Sequence, residues 1–232
     1  MVFGGIQKNS FIDYPGRISC VLFVSGCNFE CPYCHNPNLV TCGPMTSPSL
    51  NGEEVFEFLE KRKRFLDGVV ISGGEPTLQK DIVRLCKKIK EMGYPVKLDT
   101  NGSRPQIVKK LVEGDLVDYI AMDIKTDPCH YSPVIKKEID PDSLLSSIRT
   151  IMNSALPYEF RTTCVKPIVD AGVVENIAKT IKGATLYALQ RFNNNGVLHP
   201  EFFKEANATY ADDELMTLKS IAKPWVKQCI VR

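Results

Sequence analysis

A chain of 232 residues with 44% hydrophobic residues carries enough apolar side chain to bury a substantial core, which excludes a disordered polypeptide. A formal charge of +2 gives no strong electrostatic case for nucleic acid or an anionic membrane surface as partner. No apolar run reaches the ~20 residues that span a bilayer, and the opening MVFGGIQKNS has neither the charged nor the apolar region of a secretory signal, so the expectation is a soluble, cytoplasmic protein.

Taken in chain order, ISCVLFV at 18–24 is short, apolar and bounded by Gly16 and Gly26, the pattern of a buried strand. Residues 52–66 carry Val55, Phe58, Leu59 and Arg62 at helical spacing, with Glu53 and Glu54 in the first turn. A second strand, GVVIS at 68–72, precedes a helix over 80–92 whose Ile82, Leu85, Cys86, Ile89 and Met92 share one face and which Gly93 stops. VKLDT at 96–100 is a third strand, 105–113 a helix, and DYIAMDIK at 118–125 a fourth strand. Helices near 141–153 and 173–182 alternate with strands near 158–165 and 184–189, and a last helix lies near 211–222.

Six strands alternating with helices imply parallel βαβ units with right-handed connections, short of the eight of a closed barrel. The expected α/β fold is an open six-stranded (β/α) barrel or a doubly wound sheet, with helices outside. It forms a single domain with its core over about 16–192 and a helical tail over about 193–232. Both architectures collect ligands at the carboxyl ends of the strands.

The first of those ends holds GCNFECPYCHNPN, with Cys27, Cys31 and Cys34 spaced C-x3-C-x2-C. The other six cysteines, Cys20, Cys42, Cys86, Cys129, Cys164 and Cys229, show no second C-x2-C pairing and read as reduced thiols packed as small hydrophobes. Structural zinc wants four ligands, and His35, which could serve as the fourth, adjoins Cys34 and competes for the same direction. A [4Fe–4S] cluster on three thiolates leaves one iron free to bind a substrate. A cluster with an open iron is therefore favoured over zinc.

This motif, with Tyr33 just before the last cysteine, resembles the cluster loop of radical S-adenosylmethionine enzymes. The wider CPYCHNP is similar to the glycyl-radical-enzyme activases, notably the activators of anaerobic ribonucleotide reductase. The resemblance implies a radical-SAM barrel in which the open iron chelates S-adenosylmethionine. Reductive cleavage gives a 5′-deoxyadenosyl radical that takes a hydrogen from a glycine of a partner glycyl radical enzyme. It also implies an electron donor such as flavodoxin or ferredoxin. A pyruvate formate-lyase-type activase and a radical enzyme acting on a small molecule are the alternatives.

Further site residues fall at the other strand ends. Ser72-Gly73-Gly74-Glu75-Pro76 reads as a tight turn or as a close backbone approach to a ligand, with Glu75 an acceptor; the resemblance assigns it to the methionine amino group. Asp99 and Thr100 of the Asp-Thr-Asn-Gly turn offer hard oxygens, and in activases a similar sequence is associated with a monovalent cation. Strand parity puts Asp123 with Lys125, and Arg161 with Thr163, on the lumenal face. By resemblance, Asp123 and Lys125 take ribose hydroxyls and a carboxylate, Arg161 contacts S-adenosylmethionine, and Tyr33 borders its adenine. Leu189-Gln190-Arg191-Phe192 stands where pyruvate formate-lyase activases place a histidine. The segment from Gln7 to Arg17 resembles the activators and is read either as an edge of the barrel mouth or as a turn into the first strand.

Overall fold

The computed structural model describes residues 3–40, 50–135, 137–166, 168–203 and 208–232. Cys42 lies outside the described residues. The elements in chain order are β1 (Phe3–Ser10), β2 (Ser19–Val24), α1 (Pro37–Val40), α2 (Gly52–Lys61), β3 (Gly68–Gly73), α3 (Ile82–Glu91), β4 (Val96–Thr100), α4 (Pro105–Glu113), β5 (Tyr119–Asp123), α5 (Tyr131–Ile135), α6 (Pro141–Met152), β6 (Tyr158–Cys164), α7 (Ala171–Thr180), β7 (Tyr187–Arg191), α8 (Asp212–Ala222) and β8 (Cys229–Val231).

The strands form one sheet in sequence order, β1 to β8. From β2 onward every neighbouring pair is parallel, so all these strands end on the same side. Among the described residues no pairing joins β1 to β8, and the sheet is an open barrel with helices outside. The six strands read from the sequence are β2 to β7. Two flanking strands add to them: β1, antiparallel to β2, and the three-residue β8, within the segment expected to be a helical tail.

Local signals explain the helix starts. Asn51 and Glu54 form a reciprocal capping box on α2, and Asp140 and Asp170 cap α6 and α7. The buried faces of these helices meet the outward side chains of the strands, among them Leu22, Ile71, Leu98 and Ile120. The inward side chains form a separate small group near the amino ends, Tyr14, Val21, Val70, Tyr119 and Ala121. Ser10 pairs with Ser19 at the start of β2, and the Asp67 N–H donates to the Ile18 carbonyl at 2.7 Å. The loop carrying Tyr14 therefore closes the barrel at the end opposite Cys27. Of the two readings of Gln7 to Arg17, the turn holds and the mouth edge does not.

Gly73 and Gly74 owe their identity to this packing. Gly73 has φ +116°, and a Cβ on it would lie 2.4 Å from the Val24 nitrogen. A Cβ on Gly74 would lie 2.1 Å from the Gly26 carbonyl oxygen. Neither neighbour can swing aside, because both are backbone. The prediction is that Gly74→Ala destabilises the protein by about 2–3 kcal/mol in urea unfolding. A loss below ~0.5 kcal/mol would show that the two loops are not in rigid contact.

Candidate active site

Every site residue proposed from the sequence lines one cavity of about 320 Å³ at the carboxyl ends of β2 to β7. The cysteine loop, with Tyr33, forms one wall. Gly73, Gly74 and Glu75 follow β3, Asp99 and Thr100 end β4, and Asp123, Lys125 and Arg161 belong to β5 and β6. Thr163 and Gln190, paired in register on β6 and β7, line it too.

The cysteine loop is held by backbone. The Gly74 N–H donates to the Val24 carbonyl and the Glu75 N–H to the Gly26 carbonyl, each at 2.8 Å. The Cys34 N–H donates to the Cys31 carbonyl at 3.0 Å, curling the last turn so that the thiols face inward. Cys31 is buried, and Cys27 and Cys34 are partly so. Burial pushes the Cys27 thiol up to about 11 and Cys31 to about 12. The Phe29 N–H points at the Cys27 sulfur from 3.4 Å and the Asn101 side-chain amide from 4.0 Å.

These thiols suit a multinuclear cluster. Cys27, Cys31 and Cys34 line one cavity as free thiols, the soft donor set that iron–sulfur clusters take. His35 does not join them: its Nε2 lies 2.6 Å from the Asn193 carbonyl oxygen, and its ring packs on Phe192. Tyr33 is almost wholly buried, edge-on to Phe192, with its hydroxyl donating to the Lys125 carbonyl at 3.5 Å.

Glu75 is tied into the frame. One carboxylate oxygen accepts from the Thr77 N–H at 3.0 Å, the Thr77 hydroxyl at 2.5 Å and the Thr100 hydroxyl at 2.7 Å. The other accepts from the Asn101 N–H at 2.7 Å. Burial pushes its carboxyl above the usual range, against the pull of these donors. Asn101 went unrecognised from the sequence as a site residue. It reads there only as half of an Asn-Gly turn, yet its amide also bonds Asn28 at 3.0 Å and so returns to the cysteine loop.

The same cavity is lined by a chain of ion pairs. Lys125 Nζ donates to Asp123 at 2.9 Å and Arg161 Nε to Asp123 at 2.7 Å. Arg161 also reaches Asp99 at 3.4 Å, and the ammonium of buried Lys97 contacts the other Asp99 oxygen. Burial alone would raise the Asp123 carboxyl, but Arg161 and Lys125 outweigh it and hold it well below the usual carboxylate range. Burial likewise opposes the charge on Lys125, and Asp123 outweighs it, raising Lys125 above the ordinary lysine value.

The family's sequence profile, described as the radical SAM superfamily, matches residues 21–179. The chain therefore belongs to the radical SAM superfamily, which works with a [4Fe–4S] cluster and S-adenosylmethionine. Its place within it follows from its relatives. A Methanocaldococcus jannaschii protein assigned by name to the glycyl-radical enzyme activating enzymes is 37% identical over 98% of this chain and 94% of its own length. A pyruvate formate-lyase-activating enzyme of Listeria monocytogenes is 35% identical over 52% of this chain and 51% of its own. Together they mark the chain as a radical SAM enzyme of the glycyl-radical activase type. SuiB of Streptococcus suis shares the fold, with a TM-score of 0.69 at 13% identity over 91% of this chain; the present chain covers 48% of SuiB.

The ion-pair wall carries a pH prediction. The lowered Asp123 carboxyl stabilises the fold at pH above its unfolded value near 3.9, and that contribution is lost as pH falls through the folded value. Asp123→Asn is expected to cost about 3 kcal/mol at pH 7, with wild type and variant converging in strong acid. A pH-independent difference in denaturant midpoints would contradict the assigned ionisation.

Proposed function

We propose that the chain generates the glycyl radical of a partner enzyme, and that this partner is an anaerobic ribonucleotide reductase. The observation that carries the reading is one cavity lined by three thiols and by the paired cations Lys125 and Arg161. When bound, the reduced [4Fe–4S] cluster supplies the electron that splits S-adenosylmethionine into methionine and a 5′-deoxyadenosyl radical, which takes a hydrogen from the partner's glycine.

The remaining roles belong to the chain's side chains. Cys27, Cys31 and Cys34 hold the cluster and leave one iron open. Lys125 and Arg161 have N–H donors beyond those given to the aspartates and would hold the cofactor's carboxylate. Glu75, fixed by four protein donors, would accept from the cofactor's amino group. Asp123 accepts from ribose hydroxyls, and Tyr33 borders the adenine.

The open barrel leaves room beside the cavity for a glycine loop from another protein. Gln190, which lines the cavity, and the CPYCHNP segment favour the reductase over pyruvate formate-lyase as partner. Eight free cysteines among the described residues suit a reducing cytoplasm, where a flavodoxin or ferredoxin supplies the electron.

Reconstituted anaerobically with iron and sulfide and reduced with dithionite, the wild type is expected to release 5′-deoxyadenosine and Cys31→Ala to fall to background. Mixing with an anaerobic ribonucleotide reductase should give a glycyl radical signal by electron paramagnetic resonance. A signal on a pyruvate formate-lyase alone would reassign the partner. Cleavage with no radical on either protein would overturn the activase reading.

A further inference from the structure

The resemblance places a monovalent cation at Asp99 and Thr100, and the structure does not fit it. The Thr100 hydroxyl donates to Glu75 at 2.7 Å and accepts from the Gly102 N–H at 3.1 Å. One Asp99 oxygen meets the Lys97 ammonium and the other the Arg161 guanidinium at 3.4 Å. Three cations, Lys97, Lys125 and Arg161, stand beside Asp99 and Asp123, and a third buried carboxylate, Glu75, is joined to Thr100. An inorganic cation at Asp99 would compete for oxygens that the Lys97 ammonium and the Arg161 guanidinium already contact, and would stand against their like charge.

Lys97 is the unusual member. It sits mid-strand on β4 with 1% of its surface exposed, and lysine is almost never so buried unless paired. Strand parity puts it on the same face as Asp99, two residues on, pointing into the barrel below the cavity. Its ammonium stands 5.8 Å from the centre of the ring of Tyr119, the register partner of Lys97 on the neighbouring strand β5. The side chain thus reaches up from the floor and brings a monovalent positive charge to the carboxylate where a dissolved ion would sit.

We propose that Lys97 is the site's resident monovalent cation, neutralising Asp99 in place of K⁺ or Na⁺ so that the cofactor site needs no inorganic monovalent ion. This rests on the reading that the cavity takes S-adenosylmethionine. Lys97 acts through Asp99 and does not line the cavity, so it is a positioning residue.

The test uses the reconstituted protein in tetramethylammonium, sodium and potassium chloride at equal ionic strength, with two readouts: S-adenosylmethionine affinity, and melting temperature without S-adenosylmethionine. The wild type should bind with a Kd constant within about twofold across the salts, and melt at one temperature. Lys97→Met, nearly isosteric and uncharged, should bind weakly in tetramethylammonium and recover about tenfold in K⁺ or Na⁺, with a matching rise in melting temperature. A saturable K⁺ or Na⁺ effect on the wild type would overturn the proposal, as would a folded Lys97→Met indifferent to the salt. Should Lys97→Met not fold, the wild-type series decides. Absence of S-adenosylmethionine binding in every salt would instead defeat the functional reading, and the wild-type melting temperatures would still decide whether an ion binds.

Discussion

The site depends on one constraint: the backbones of the cysteine loop and the Gly73-Gly74-Glu75 loop touch. The hydrogen bonds to the Val24 and Gly26 carbonyls require an approach that any side chain at Gly73 or Gly74 would block. From there the Glu75 carboxylate reaches the end of β4 through Thr100 and Asn101, and the Asn101 amide returns to Asn28 and Cys27. Three strand ends are closed into a ring of hydrogen bonds. The thiols are presented by this ring rather than by a free loop, so little ordering remains when a cluster binds.

The two walls of the cavity treat charge in opposite ways. The carboxylates are paired with Lys97, Lys125 and Arg161, and Asp99 and Asp123 stay ionised despite burial. The Cys27 and Cys31 thiols feel the Lys125 ammonium, but burial outweighs its pull and raises both thiols. A metal cluster supplies the missing positive charge and displaces their protons. The pattern directs metal to the sulfurs and leaves the opposite wall to a ligand with an anionic group.

The strand-borne parts of this arrangement were legible in the sequence because they follow a period of two. Asp123 with Lys125 and Arg161 with Thr163 were assigned to one face by parity, and all four line the cavity. The flanking strands were not legible: FGGIQKNS has two glycines and no sustained alternation, and CIV is three residues long. Contacts between loops were hidden as well. Gly73 and Gly74 were read as a tight turn or a close approach to a ligand; their close approach to the backbone of the neighbouring loop was not legible. Lys97 in VKLDT looks like any polar strand residue, because period two gives a side chain its face but not its depth in the barrel. Asn101 was masked by the ordinary turn chemistry of Asn-Gly.

The central claim is that three sulfurs hold a cluster with one iron exposed to the cavity. The most direct measurement is the electron paramagnetic resonance spectrum of the reduced, reconstituted protein before and after S-adenosylmethionine is added. A ligand arriving at the open iron should change the spectrum of a [4Fe–4S] centre. An unchanged spectrum, or a protein that takes up zinc and no sulfide, would contradict the account.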